Sequence, residues 1–151
     1  MEQHDHLPAL GGQRIARGTS RLLASYGFVS LLEFAPTRGL RTDVFALGEK
    51  GEIWVVECKS GLPDFTSDQK WHNYLEWCDR FLFAVDKDFP IEILPQEHGL
   101  IIADAYGGEL LRQSTTEHKM PPARRKSLTL SFARQAAKRL QSQIDPSSAL
   151  E

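Results

Sequence analysis

The sequence predicts a single α/β domain, a mixed β-sheet packed between helices. Three observations carry that expectation. Short β-branched and aromatic runs at residues 28–35, 41–47, 52–59, 80–85 and 100–103 are separated by turn-forming residues. Segments with apolar residues at helical spacing lie before, between and after these runs. One run, Ile53-Trp54-Val55-Val56, is apolar on both faces, as befits a central strand covered on two sides. At 151 residues, with 41% hydrophobic and 25% charged residues, the chain has the size and composition of one globular domain over residues 1–151. Residues 1–7 and 146–151 read as frayed ends.

The elements follow in order. Residues 13–26 set Ile15, Leu22, Leu23 and Tyr26 on one helical stripe, with Arg14, Arg17 and Arg21 largely off it and Gly27 as a stop. Three strands follow, at 28–35, 41–47 and 52–59, joined by the turns Pro36-Thr37-Arg38-Gly39 and Gly48-Glu49-Lys50-Gly51. Gly61-Leu62-Pro63 breaks the chain. Residues 66–79 then place Trp71, Tyr74, Leu75 and Cys78 at helical spacing, with Ser67 or Asp68 as the cap. Strands at 80–85 and 100–103 come next, and Tyr106-Gly107-Gly108 turns the chain into a hairpin strand at 109–112. After Pro121-Pro122, residues 123–141 carry Leu128, Phe132, Ala136 and Leu140 on one stripe of a basic amphipathic helix.

Composition excludes several function classes. The longest apolar runs fall far short of the ~18 residues that a spanning helix needs. The start, Met1-Glu2-Gln3-His4-Asp5-His6, lacks a basic n-region and an apolar h-region, so a cytoplasmic protein is expected. Two cysteines, Cys58 and Cys78, are too few for a disulfide framework. Net charge is −2, so bulk basicity does not argue for nucleic acid. The distribution says more. Residues 43–109 hold fourteen acids against five bases, whereas residues 113–144 hold seven Lys or Arg against the single acid Glu117. An acidic centre between basic flanks suits metal ions in the middle and phosphates at the rim, and equally suits solvated helix faces.

The chemistry gathers at the third strand. Side chains alternate, so Glu57 and Lys59 project to one face of its end while Cys58 points to the other. A hairpin brings Asp43, on the preceding strand, beside Glu57. Two carboxylates converging there repel unless a cation joins them, and hard oxygen ligands select Mg²⁺ or Mn²⁺. Such a metal holds a phosphate oxygen and lowers the pKa of a bound water, while Lys59, its ammonium expected at an open strand end, orients that water. Phosphodiester hydrolysis needs this set. Glu33 either reaches the same site from the first strand or pairs with Arg41. Lys70 and Tyr74, one turn apart, are candidates for contact with phosphate and with sugar or base, as are Arg41 and the triplet Arg124, Arg125 and Lys126 for phosphate. Asp64 and Asp68 read as turn and helix caps, and Asp104 as the residue that shapes the turn before Tyr106-Gly107. His4 and His6 read as part of a tail.

As a bare pattern, Asp, thirteen intervening residues, then Glu-x-Lys is weak. In the order helix, strand, strand with Asp43, strand ending Glu57-Cys58-Lys59, helix, strand, it resembles the core of the PD-(D/E)xK superfamily of restriction-endonuclease-like nucleases. A closer resemblance, over roughly residues 18–140, is to the MmcB-like DNA repair family. It is carried by Arg41-Thr42-Asp43-Val44, Glu57-Cys58-Lys59-Ser60, Asp64-Phe65, Asp68-Gln69-Lys70-Trp71, Tyr74, Cys78-Asp79, Phe83-Ala84-Val85 and Ala103-Asp104-Ala105-Tyr106-Gly107. The resemblance implies a bacterial DNA repair protein with a restriction-endonuclease-like fold and Mg²⁺-dependent nuclease activity. It implies Asp43, Glu57 and the Cys58 backbone carbonyl as metal ligands and Lys59 as the catalytic lysine. Thr42 stands where proline often precedes the aspartate, and Gln13 where many members place a glutamate, which weakens the case for a second metal. The alternative is a non-catalytic DNA-binding or adaptor module that uses the basic helices at the two ends of the chain. With one domain, substrate choice falls to a homodimer, to a repair-protein partner, or to readout of DNA structure.

Overall fold

The computed structural model describes residues 11–67 and 70–148, and helices and strands follow one another there in the expected order. Asp68, His4 and His6, with the chain ends 1–7 and 149–151, lie outside the described residues. Helix α1 (Gly11–Ser25) precedes β1 (Val29–Leu32), β2 (Val44–Leu47) and β3 (Ile53–Lys59). A short helix α2 (Leu62–Ser67) and a 3₁₀ segment (Lys70–Trp77) lead to β4 (Arg80–Val85), and β5 (Gly99–Ala103), β6 (Gly108–Arg112) and α3 (Pro122–Ile144) complete the domain.

The six strands lie side by side in chain order. β1, β2 and β3 form an antiparallel meander, β3, β4 and β5 run parallel, and β6 returns antiparallel to β5. Parallel neighbours need crossovers, and the α2 and 3₁₀ segments supply the one from β3 to β4. Because β3, β4 and β5 run the same way, their carboxyl ends gather at one edge of the sheet, where open α/β sheets place their sites.

Alternation divides the core into two layers. Val44, Ala46, Val56, Cys58, Leu82, Ala84 and Ile101 pack with Ile15, Ala16 and Leu23 of α1. Phe45, Ile53, Val55, Phe81, Phe83 and Val85 pack on the other side with Trp71, Tyr74, Leu128 and Phe132. β3 is therefore buried on both faces, as its run of apolar residues requires. Glycine at position 18 sets the depth of α1: a Cβ there would meet the Asp104 carbonyl oxygen at 1.8 Å and that of Gly107 at 2.5 Å, so the helix backbone rests directly on the β5–β6 turn.

Several boundaries differ from expectation for physical reasons. β1 stops at Leu32 because Glu33 takes a left-handed backbone (φ 54°) and swings Phe34 into the core, where the Thr42 hydroxyl donates to the Phe34 carbonyl at 2.8 Å. β2 begins at Val44 rather than at residue 41. The single helix expected over 66–79 is two pieces. Pro63 does not break the chain but sits in the first turn of α2, where its missing N–H is harmless. Trp71, Tyr74 and Trp77 recur every third residue, the period that a 3₁₀ segment places on one face. On α3 only Leu128 and Phe132 of the expected stripe are buried. Leu140 is 57% exposed, because the helix, 23 residues and about 35 Å long, outruns the sheet. Residues 146–148 form a 3₁₀ turn rather than a frayed end.

Candidate active site

The β2–β3 register builds the site. Val44 faces Val56, so one step further along the antiparallel ladder Asp43 faces Glu57, on the same side of the sheet. The two carboxyl groups are hydrogen-bonded to each other, and Asp43 Oδ2 also accepts the Cys58 amide at 2.8 Å. Burial pushes the Asp43 carboxyl above its ordinary pKa. The Cys58 amide, the Glu57 carboxyl and the Lys59 charge oppose that rise without cancelling it, and Asp64 adds to it. Glu57 is only 6% exposed.

Lys59 departs from expectation. Its side chain is not at an open strand end but buried, at 2% exposure, with Nζ 4.0 Å from Asp64 Oδ1. A buried ammonium needs nearby negative charge, and Asp43 and Asp64 supply it. Asp64, in the first turn of α2, accepts the Ser60 amide at 3.2 Å, so it shapes the turn as expected and also faces the lysine. Cys58 points into the α1 layer, and burial raises its thiol well above the ordinary value, which leaves it unreactive.

These groups line one groove of about 1090 Å³ along the carboxyl end of β3. Glu33 lines it too, from the end of β1. The opposite wall is α1, with Gln13, Arg17 and Arg21. The sequence reading offers this basic helix as a DNA-holding surface only in its adaptor alternative and does not place Arg17 and Arg21 beside the acid pair. Among the described residues no group of three or more His, Cys, Asp or Glu side chains gathers as a ready-made metal cluster. A cation here would take two carboxylates and complete its shell with backbone oxygen and water, as Mg²⁺ usually does. The donor set fits, since a buried and a half-buried carboxyl group in contact are costly without a positive charge between them.

The expected nucleic-acid contacts fare differently. Tyr74 is core, 5% exposed, and its hydroxyl donates to the Arg41 carbonyl at 2.6 Å, so it is not available to a base. Arg125 is spent on structure. Its Nη1 donates to Asp79 Oδ2 at 2.7 Å and to the Gly51 carbonyl at 2.9 Å, and its Nη2 donates to the other oxygen of Asp79. Arg124 lies over the Trp77 ring, 4.3 Å from its centroid, and donates to the Glu76 carbonyl. Arg41, Lys70 and Lys126 are exposed. A second hollow of about 530 Å³, at the opposite end of the sheet, is lined by Glu49, Glu52, Asp79 and Glu117 together with Lys50, Arg80 and Arg125, and its Asp79 is held in a salt bridge with Arg125. Asp104 shapes its turn as expected, with Oδ1 accepting the amides of Tyr106 and Gly107 at 2.8 and 3.0 Å.

A six-stranded mixed sheet flanked by helices, with an acid pair and a lysine at the carboxyl end of its central strand, defines the class of protein. The sequence model for the family described as DNA repair protein MmcB-like matches residues 9–147, and the chain belongs to that family. Among solved structures, it is similar to the SPO1766 protein of unknown function from Silicibacter pomeroyi. The identity is 57%, the TM-score 0.90, and the match covers 94% of this chain and 97% of that one. No curated protein matches the chain. No helix among the described residues is long and apolar enough to cross a membrane.

Proposed function

We propose that the chain is a metal-dependent deoxyribonuclease of DNA repair, with the restriction-endonuclease-like site of the PD-(D/E)xK enzymes. The observation that carries this reading is the register-matched contact of Asp43 with Glu57, with Lys59 two residues on, all lining one groove. Asp43, Glu57 and the Cys58 carbonyl would hold Mg²⁺ or Mn²⁺. When bound, the ion would neutralise charge on the phosphate and supply hydroxide near neutral pH. Lys59, fixed beside Asp43 and Asp64, donates to the attacking water or to a phosphate oxygen and offsets the charge that develops there. Its burial excludes bulk water and strengthens that contribution.

The test is cleavage of duplex, nicked, flapped, branched and single-stranded DNA with Mg²⁺ or Mn²⁺. Lys59→Met keeps the buried stem, which alanine would replace by a cavity, and is expected to slow cleavage by about 10²-fold or more. Mn²⁺ binding by calorimetry is expected to fall in Asp43→Ala and in Glu57→Ala. A parent protein that cleaves none of the panel removes the nuclease reading and leaves the second one, a DNA-binding or adaptor module. That reading is favoured by the apolar residues that α3 leaves uncovered, Leu130, Leu140 and Ile144, at 61%, 57% and 75% exposure.

A further inference from the structure

Arg14, Arg17 and Arg21 are spaced by three and four residues on α1, so their guanidinium groups share one helix face as a stripe about 10 Å long. Arg17 and Arg21 line the groove that holds Asp43 and Glu57. Arg14 lines a neighbouring hollow of about 790 Å³ beneath the β5–β6 turn, and Gly11 belongs to both walls, so the two concavities meet at the start of α1. Tyr106 stands on that turn with 60% of its surface exposed.

The turn holds Tyr106 firmly. Asp104 Oδ1 accepts the Tyr106 and Gly107 amides, the Asp104 amide donates to the Gly107 carbonyl at 3.0 Å, and Gly18 lets α1 pack directly beneath. Arg21 Nη1 donates to the Tyr106 carbonyl at 3.2 Å and ties the turn to the arginine stripe. A large aromatic ring kept in water on a fixed backbone contributes little to the fold. Its face is the surface on which an unpaired base stacks, and guanidinium groups in a row follow a sugar-phosphate backbone.

We infer that α1 and the β5–β6 turn form a track for a single DNA strand, with phosphates on Arg14, Arg17 and Arg21 and an unstacked base on Tyr106. The track leads into the Asp43–Glu57 groove. A base inside a continuous duplex is already stacked on both faces and offers none to Tyr106, so the track selects single-stranded or flapped DNA. The inference rests on the nuclease reading for the choice of DNA, while binding itself needs neither metal nor cleavage.

The experiment uses the full chain in EDTA, with fluorescence anisotropy of a labelled 20-nucleotide single strand and of the matching duplex at several salt concentrations. Tyr106→Ala is expected to weaken binding of the single strand about tenfold and to leave the duplex unchanged, with Tyr106→Phe restoring the parent's affinity. A 2-aminopurine base in the strand is expected to be quenched by the parent and not by Tyr106→Ala. Arg17→Ala is expected to weaken both DNAs and to lower the single-strand salt slope by about 0.7. Parent-like binding and quenching by Tyr106→Ala would overturn the track, and so would a parent with no preference for single strands. If that parent still cleaves DNA, the nuclease reading stands and the track alone fails. A parent that binds neither DNA overturns the track, and the nuclease reading falls with it only if that parent also cleaves none of the panel with Mg²⁺ or Mn²⁺.

Discussion

Gly18→Ala sets two effects of opposite sign against each other. In the middle of a 15-residue helix the substitution adds intrinsic helix stability of about 1 kcal/mol. The new methyl carbon would sit 1.8 Å from the Asp104 carbonyl oxygen and 2.5 Å from that of Gly107, where an ordinary contact needs more than 3 Å. Both atoms are backbone, in a turn closed by three hydrogen bonds, so no flexible side chain can swing away. Relief requires α1 to move by more than 1 Å against the β3, β4 and β5 layer, which places the cost near the top of the range for overpacking, about 3 kcal/mol. The net expectation is a loss of about 2 kcal/mol, read from urea unfolding followed by circular dichroism. Gly12→Ala in the same helix is the control. Nothing lies within 4 Å of its added Cβ, so it is expected to leave stability unchanged or to raise it slightly. A Gly18→Ala protein as stable as the parent would refute the reasoning, because helix propensity would then have outweighed the contact.

Arg125→Ala leaves Asp79, only 8% exposed, without its two-pronged partner and is expected to cost about 2 kcal/mol in urea unfolding at pH 7. Burial pushes the Asp79 carboxyl up, but the Arg125 hydrogen bonds, the Ile53 amide and the charges of Arg125 and Arg80 together hold it below its ordinary value. That stability is present above the ordinary aspartate pKa and is lost as pH falls through the lowered one, so parent and variant curves are expected to converge in acid. The Asp43 carboxyl behaves in the opposite sense. Burial raises it, so without metal the fold gains stability as pH falls through the raised pKa, and Asp43→Asn is expected to raise the neutral-pH Tm and abolish the further rise given by Mn²⁺. Burial also lowers the His98 and His118 imidazoles; at His98 Glu97 opposes this while His118, His72 and Arg112 add to it, and at His118 Asp79 opposes it. Each ring takes up its proton at lower pH in the fold than in the unfolded chain, so the urea midpoint is expected to fall as pH drops below about 6.5, and to fall less in His98→Gln.

Much of this architecture is legible in the sequence because it depends on short-range signals. Alternation and the doubly apolar run of Ile53 to Val56 mark β3, and the turn at Gly48 to Gly51 sets a register that brings Asp43 to Glu57. The 3₁₀ segment is not legible in that way. Trp71, Tyr74, Leu75 and Cys78 fit the i, i+3, i+4, i+7 spacing of an α-helix, whereas Trp71, Tyr74 and Trp77 fit a period of three, and the fold adopts the second with Trp71 and Tyr74 packed among Phe81, Phe83 and His98. The burial of Lys59 depends on Asp64 coming back across it from α2, a contact made by folding. Arg125 and Tyr74 mislead for a similar reason. Each has the chemistry of a ligand contact, and its partner, Asp79 or the Arg41 carbonyl, lies more than thirty residues away.

The depth of β3 and β4 in the sheet has a kinetic consequence. Phe81 to Val85 are wholly shielded, and their strand is hydrogen-bonded on both sides. Their amides should be the last in the domain to exchange with deuterium, at rates set by global unfolding. β6 and β1 form the two edges of the sheet, and both carry exposed residues, so local opening starts there at lower free energy. The Glu57–Lys59 segment, at the end of β3, belongs to the slow unit. Glu57 and Lys59 are thus held by the most persistent part of the molecule, and the outer edges of the sheet can open without disturbing their spacing.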